Sequence, residues 1–184
     1  AHLVQSNDRQ AVREAVEYLI SQGHRKIGLV EGPEGFRSAL ERREGWREAM
    51  QAHGLSCEDA WAERGNYTFE TGKQAGAALL DRADRPTAIF ASNDVMAAGV
   101  VHVARERGLD VPGDLSVVGF DDVPPAAWPA YNLTTFRQRV DQMVAETVTM
   151  LTTWIAADQP EVARVVLSGE LVIRGSTRRH GTTR

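Results

Sequence analysis

RPTAIFASNDVMAAGVVHVARERGLDVPGDLSVVGFDD, residues 85–122, reads as a complete strand, helix and second strand. Residues 87–91 (TAIFA) and 116–120 (SVVGF) are short apolar runs without polar alternation, the pattern of strands buried on both faces. Residues 95–107 between them have helix-forming composition, follow the capping residues Ser92, Asn93 and Asp94, and stop at Gly108 with Pro112 beyond. A crossover of that length joins parallel strands. The fold class is therefore α/β, with a doubly wound parallel sheet.

Right-handed crossovers place the carboxyl ends of parallel strands on one edge of the sheet, where open α/β folds hold their ligands. Ser92, Asn93 and Asp94 follow the first strand and Asp121 and Asp122 follow the second, so an amide and a carboxylate converge there. Such groups suit hydroxyl-rich ligands, because a carboxylate accepts and an amide both donates and accepts. The same residues also read as a helix N-cap and a turn before Val-Pro-Pro, and spacing alone leaves both readings open.

The wording of this segment, PTAIFASNDVMAAGV followed by GLDVPGDLSVVGFDD, closely resembles the sensor domain of the LacI/GalR family of bacterial transcription regulators. The resemblance continues in YLISQGHRKIGLVEGP (residues 18–33), RREGWREAMQAHGL (42–55), LTTFRQRVDQM (133–143) and ELVIRGST (170–177). It implies a periplasmic-binding-protein-like fold of type I, with two lobes around a small-molecule cleft and an N-terminal helix-turn-helix that binds operator DNA. It also implies an allosteric, non-catalytic mechanism in a cytoplasmic homodimer. Matching singles out Arg42, Tyr67, Asn93 and Asp121 as effector contacts, with Phe36 and Trp128 as further aromatic candidates. Arg42 and Asp121 together suit adjacent hydroxyls, and a neutral sugar is favoured because a phosphate or purine asks for more positive charge or a second aromatic clamp. Near Gln10, where relatives often carry another contact, no obvious acid appears.

Composition is consistent with a cytosolic globular piece. The chain has 184 residues, 42% of them hydrophobic, which suffices for a real core. A net charge of −4 argues against this piece gripping a nucleic-acid backbone, so operator contact is expected outside it. Cys57 is the lone cysteine, which excludes an internal disulfide and a cysteine metal cluster. No run of about 18 apolar residues suggests a membrane span. The start at Ala1, without Met or a signal sequence, suggests a piece of a longer protein. No cofactor and no metal is expected. Asp94, Asp121, Asp122 and five histidines are suitable acids and bases, yet no phosphate loop, nucleophile elbow or metal-ligand spacing accompanies them, so an enzyme is disfavoured. An extracytoplasmic sugar-binding protein of a transport system is the alternative that shares the fold, and a plain oligomerisation module is a third reading.

The remaining elements follow from periodicity. Residues 1–4 read as the end of a strand. Residues 10–21 form a helix with an apolar stripe of Ala11, Val12, Ala15, Val16, Leu19 and Ile20, and 26–30 a strand. Helices are expected over 37–53 and 69–82, the latter with Gly72 and Gly76 allowing close packing, and a short strand over 61–64. Residues 123–136 read as a loop rich in Pro and aromatics, hanging over the cleft. The helix over 137–155 is strongly amphipathic, and 162–167 and 170–174 are strands. On the resemblance, 1–177 is a partial effector-binding domain: about 24–136 with 160–177 make the C-terminal lobe, helices 10–21 and 137–155 are remnants of the N-terminal one, and 178–184 is a tail. Those two helices are then expected to pack on each other or on a second copy.

Overall fold

The computed structural model describes residues 2–156 and 162–178. In chain order the elements are β1 (Leu3–Ser6), α1 (Asp8–Ser21), β2 (Ile27–Glu31), α2 (Arg37–Ala52), β3 (Ala62–Arg64), α3 (Phe69–Leu80), β4 (Ala88–Ala91), α4 (Asp94–Glu106), β5 (Ser116–Asp121), β6 (Thr134–Arg137), α5 (Val140–Ala156), β7 (Arg164–Leu167) and β8 (Glu170–Val172). Single turns of 3₁₀ helix occupy Asp59–Trp61 and Pro124–Ala127.

Six strands form the main sheet in the order β3-β2-β4-β5-β6-β8, parallel except for β8. β1 and β7 pair in parallel as a separate two-stranded sheet. The apolar runs TAIFA and SVVGF are the centre of the main sheet, and β4 is buried along its whole length. Alternate side chains feed two cores. Ile27, Leu29, Phe90, Val118, Phe120 and Phe136 meet α1 and α2 on one face. Val30, Ile89, Ala91, Val117 and Leu133 meet α3 and α4 on the other. Between α3 and α4 the approach is close, as the Gly72 and Gly76 pattern suggests: a Cβ on Gly72 would meet the Met96 carbonyl oxygen at 2.4 Å.

Helix α1 corrects one expectation. Its stripe is not left for a missing lobe or for the helix at 137–155. Ala11, Val12, Ala15, Val16, Leu19 and Ile20 are all buried in the core they share with α2. Width explains this: six strands about 4.8 Å apart span more than two helix diameters of about 10 Å, so α2 alone leaves that face open. α1 covers the part over β4, β6 and β8.

Two further assignments change. The supposed loop 123–136 ends in β6, whose Thr134, Thr135 and Phe136 are buried. Residues 162–167, expected in the larger lobe, contain β7, which pairs with β1 instead. Helix α5 rests on β1 and β7 and buries none of its residues; Val140, Val144, Val148, Leu151 and Ile155 are exposed. Of the expected tail, residues 179–184 lie outside the described residues. Arg178 is held, its backbone N–H donating to Ser116 Oγ at 3.0 Å.

Placing α1 in the core and α5 outside it has a measurable consequence. Leu19→Ala is expected to destabilise the chain by about 2–5 kcal/mol, and Leu151→Ala by about 0.5 kcal/mol or less, in urea denaturation. Equal losses would refute the distinction.

Candidate functional site

Strand β2 leads through α2 to β3 on one side, whereas β4 lies on its other side. The carboxyl ends of β2 and β4 therefore flank a switch point, the usual crevice for ligands in such sheets. Arg42 reaches into it from α2 and is only 6% exposed. Its Nε donates to Asp8 Oδ2 at 2.8 Å and its Nη1 to the Ser92 carbonyl at the end of β4. The guanidinium lies over the Phe120 ring, 3.9 Å from the centroid. Nη2 stands 3.9 Å from Asp121 Oδ1, outside hydrogen-bond reach. One donor and one acceptor thus face each other across a gap at the bottom of the crevice.

Asp121 and Asp122 end β5 with φ of 109° and 56°, conformations that non-glycine residues seldom adopt. The twist sends consecutive carboxylates apart. Asp121 turns toward Arg42 and accepts from Gln138 Nε2 at 2.6 Å. Burial pushes its carboxyl above the ordinary carboxylate value, with Arg42 and Gln138 opposing. Asp122 turns away and accepts from Arg174 at 2.7 Å and Arg137 at 2.6 Å. Burial opposes its charge too, but the hydrogen bonds from Arg174 and Arg137 outweigh it and hold the carboxyl below the ordinary range. Its role is to tie β5 to β6 and the C-terminal segment.

Asn93 serves as the N-cap that spacing allowed, with Oδ1 accepting from the Met96 N–H at 2.9 Å. Its Nδ2 also donates to the Tyr67 carbonyl at 3.2 Å, bracing a residue with φ of 57°. The Tyr67 ring passes over Gly32, where an added Cβ would lie 2.4 Å from the phenol oxygen. The Tyr67 hydroxyl is 3.4 Å from Ser38 Oγ, and Phe36 meets the ring edge-on at 6.4 Å. Arg42, Tyr67, Asn93 and Asp121 therefore share one edge, with exposed Phe36 beside them. Trp128 does not join them. It lines a separate, mostly apolar hollow of about 210 Å³ with Phe69, Val95, Ala98 and Tyr131.

Beside Arg42 runs a groove of about 330 Å³, bounded by Gln5, Asp8, Ser38, Gln138 and Met143 among others. Asp8, two residues upstream of Gln10, supplies an acid on this groove by pairing with Arg42, and neither Asp8, Gln138 nor Ser38 stood out in the sequence.

Asp94, the first residue of α4, lines the Trp128 hollow instead. It accepts from Thr135 Oγ1 at 2.5 Å and from the Val123 N–H at 2.8 Å, and is buried. At the opposite edge of the sheet, buried His24 bridges Thr87 and Ser116, each at 2.9 Å, as a structural residue. Among the described residues no group of three His, Cys, Asp or Glu side chains has metal-holding geometry, and no helix is long and apolar enough to cross a membrane.

The family model described as a periplasmic binding protein-like domain matches residues 16–177. The probable HTH-type transcriptional repressor ExuR of Bacillus subtilis is 36% identical over 174 residues, 95% of this chain and 52% of that protein. The HTH-type transcriptional repressor CytR of Escherichia coli is 36% identical over 168 residues, 91% and 49% of the two chains. The chain thus spans about half the length of these curated relatives. Among solved structures, the CelR–cellobiose complex superposes with a TM-score of 0.91 at 33% identity, covering 96% of this chain and 54% of that one. A regulatory protein of the LacI family from Chloroflexus aggregans matches with a TM-score of 0.91 at 37% identity, covering 98% and 65%.

Asp94 and His24, both buried, pull stability in opposite directions. Burial pushes the Asp94 carboxyl from 3.8 up to about 7, against its hydrogen bonds from Thr135 and Val123. The folded chain then holds a proton that the unfolded chain releases, so this contribution falls as pH rises between those values. Burial, aided by Arg178, lowers His24 from 6.5 to about 4, so its contribution rises with pH over that range. Asp94→Asn removes only the first. Its stability relative to the unsubstituted chain is expected to climb from pH 4 to pH 7 and level off above, by urea denaturation across that window; parallel pH curves would contradict the burial effect.

Proposed function

Because this chain belongs to the LacI/GalR family, as its periplasmic-binding-protein-like effector-binding domain, we propose that it is the sensing part of a DNA-binding transcription regulator and seats a sugar on the Arg42–Asp121 pair. The observation that carries this is the 3.9 Å gap between Nη2 and Oδ1. A hydroxyl in that gap accepts from the guanidinium and donates to the carboxylate, and a second hydroxyl on the adjacent carbon engages whichever partner is left. Tyr67, with Phe36 against its edge, offers an aromatic surface beside the pair for the apolar face of a pyranose. The names of the relatives favour a regulator over an extracytoplasmic sugar-binding protein. Cellobiose is the ligand of the CelR complex and serves here as the first probe.

In this reading the chain acts without catalysis. The effector binds two arrangements of the lobes with different affinity, a coupling of about 1–3 kcal/mol, and so alters operator binding by a segment outside this acidic piece. A regulator of that kind works in the cytoplasm as a homodimer, and the hollow around Trp128, Val95 and Ala98 is an apolar surface suited to a second copy.

Isothermal titration of the complete gene product with cellobiose and related neutral saccharides tests the proposal. Arg42→Ala and Asp121→Asn are each expected to weaken binding by roughly 10- to 100-fold, the worth of a charge-assisted hydrogen bond. Undiminished affinity in both variants would remove the pair from the site, and operator binding indifferent to every saccharide would remove the sensor role.

A further inference from the structure

Asp121 reaches Arg42 only because the end of β5 is turned. Val117 belongs to the core under α3 and α4, whereas Val118 and Phe120 belong to the core under α1 and α2. Alternation therefore assigns residues 119 and 121 to the α3 and α4 face, although Arg42 lies over Phe120 on the other one. The positive φ at Asp121 and Asp122 makes up the difference by carrying the carboxylate around the end of the strand. Such a turn has to be held.

Asp94 holds it from both ends. Its Oδ1 accepts from Thr135 Oγ1 on β6 and lies where a Cβ on Gly119 would collide, two residues before Asp121. Its Oδ2 accepts from the Val123 N–H at 2.8 Å, two residues after Asp121. Thr135 is also the register partner of Gly119. One buried carboxylate thus braces β5, β6 and the segment leaving β5, with Asp121 in the middle. Because Asp94 follows Asn93 directly as the first residue of α4, the same carboxylate ties the amide of the crevice to its acid.

We propose that Asp94 is the positioning residue of the effector site: its ionised carboxylate fixes where Asp121 stands relative to Asn93 and Arg42, and a proton on it slackens that setting. The proposal rests on the effector reading of Arg42 and Asp121. It deepens that reading by making effector affinity depend on a group outside the pair itself.

Hydrogen-bond chemistry gives the sign. The Val123 N–H can only donate, and a charged acceptor makes a bond roughly twice as strong as a neutral one. Burial pushes the Asp94 carboxyl up to about 7, with the charges of Asp121 and Asp122 on β5 acting in the same direction and the bonds from Thr135 and Val123 opposing. The guanidinium groups of Arg137 and Arg174 are taken up by Asp122, and the Trp128 hollow, which Asp94 lines, adds apolar residues and the Tyr131 phenol. The grip therefore tightens as pH rises through that value. An effector that needs the turn in place binds the ionised form better and drives a proton off Asp94.

Two readouts on the complete gene product test this. In the ligand-free protein the amide proton shift of Val123, followed by NMR, is expected to titrate with a midpoint near 7 and to stay flat over the same range in Asp94→Asn. Thr135→Val removes a bond that opposes burial, so its midpoint is expected above that of the wild type, a displacement that a merely structural threonine would not cause. By isothermal titration, affinity for cellobiose is expected to rise roughly 2- to 5-fold from about pH 6 to about pH 8 in the wild type and to stay level in Asp94→Asn. A Val123 shift indifferent to pH in the wild type, or a pH-dependent affinity that survives in Asp94→Asn, would overturn the proposal. Binding that is lost in Arg42→Ala yet ignores pH in the wild type would keep the effector reading and remove Asp94 from it. A titrating Val123 in a protein blind to every saccharide would support the brace and count against the sugar assignment.

Discussion

A guanidinium has no acceptor and cannot lose its proton in a protein, so burying one obliges the fold to surround it. Arg42 is that obligation here. It draws Asp8 from the start of α1, the Ser92 carbonyl from the end of β4, and the Phe120 ring from β5. One side chain thereby joins the helix pair on one face of the sheet to the two central strands beneath it. Two of its nitrogens are spent on these contacts and the third is directed at Asp121 without reaching it. The same burial that fixes the arginine in one orientation presents its remaining N–H groups to the crevice.

Backbone strain is concentrated at that edge. Tyr67, Asp121 and Asp122 all have positive φ, each worth about 1–3 kcal/mol of strain. The well-paired parallel strands behind them supply the rigidity that holds such conformations. What the strain achieves is separation: Asp121 and Asp122 are adjacent in sequence, yet one faces the crevice with its carboxyl pushed up and the other is locked between two arginines with its carboxyl pulled down. An unstrained β-strand would also have alternated the two side chains, but across opposite faces of the sheet instead of around its end.

The central unit was legible because an apolar run without alternation has few places to go other than a doubly covered strand, and TAIFA and SVVGF behave accordingly. The crossover brought Asn93 and Asp121 to one edge while leaving Asn93 a possible cap, and Arg42 and Tyr67 joined them only by resemblance. The misreadings share a cause. An amphipathic stripe states that a face is apolar and says nothing of what covers it, so α1 and α5 looked alike although one is core and the other exposed. Asp8 and Arg42 are 34 residues apart, and no local pattern announces an ion pair at that separation. β6 was hidden because four residues, TTFR, follow a stretch of Pro and aromatic residues that ends no differently from a loop.

On the proposed reading, sensing and folding share residues, and the contrast between the two halves of the structure gives a physical reason. The six-stranded body is held by two apolar cores, and moving any of its elements would expose them. The chain next to the β1, β7 and α5 unit meets the site through polar contacts: Asp8, the first residue of α1, with Arg42, and Gln138, between β6 and α5, with Asp121, while Arg137 at the end of β6 pairs with Asp122. Each such contact is worth about 0.5–3 kcal/mol net, the scale on which a small ligand shifts an equilibrium between two arrangements. An interface made of core would resist a ligand of that strength, and one with no fixed contacts would fail to register it. A buried arginine whose partners lie in that adjoining chain meets both conditions, because the ion pair that the fold needs is also the one that ligand binding would perturb.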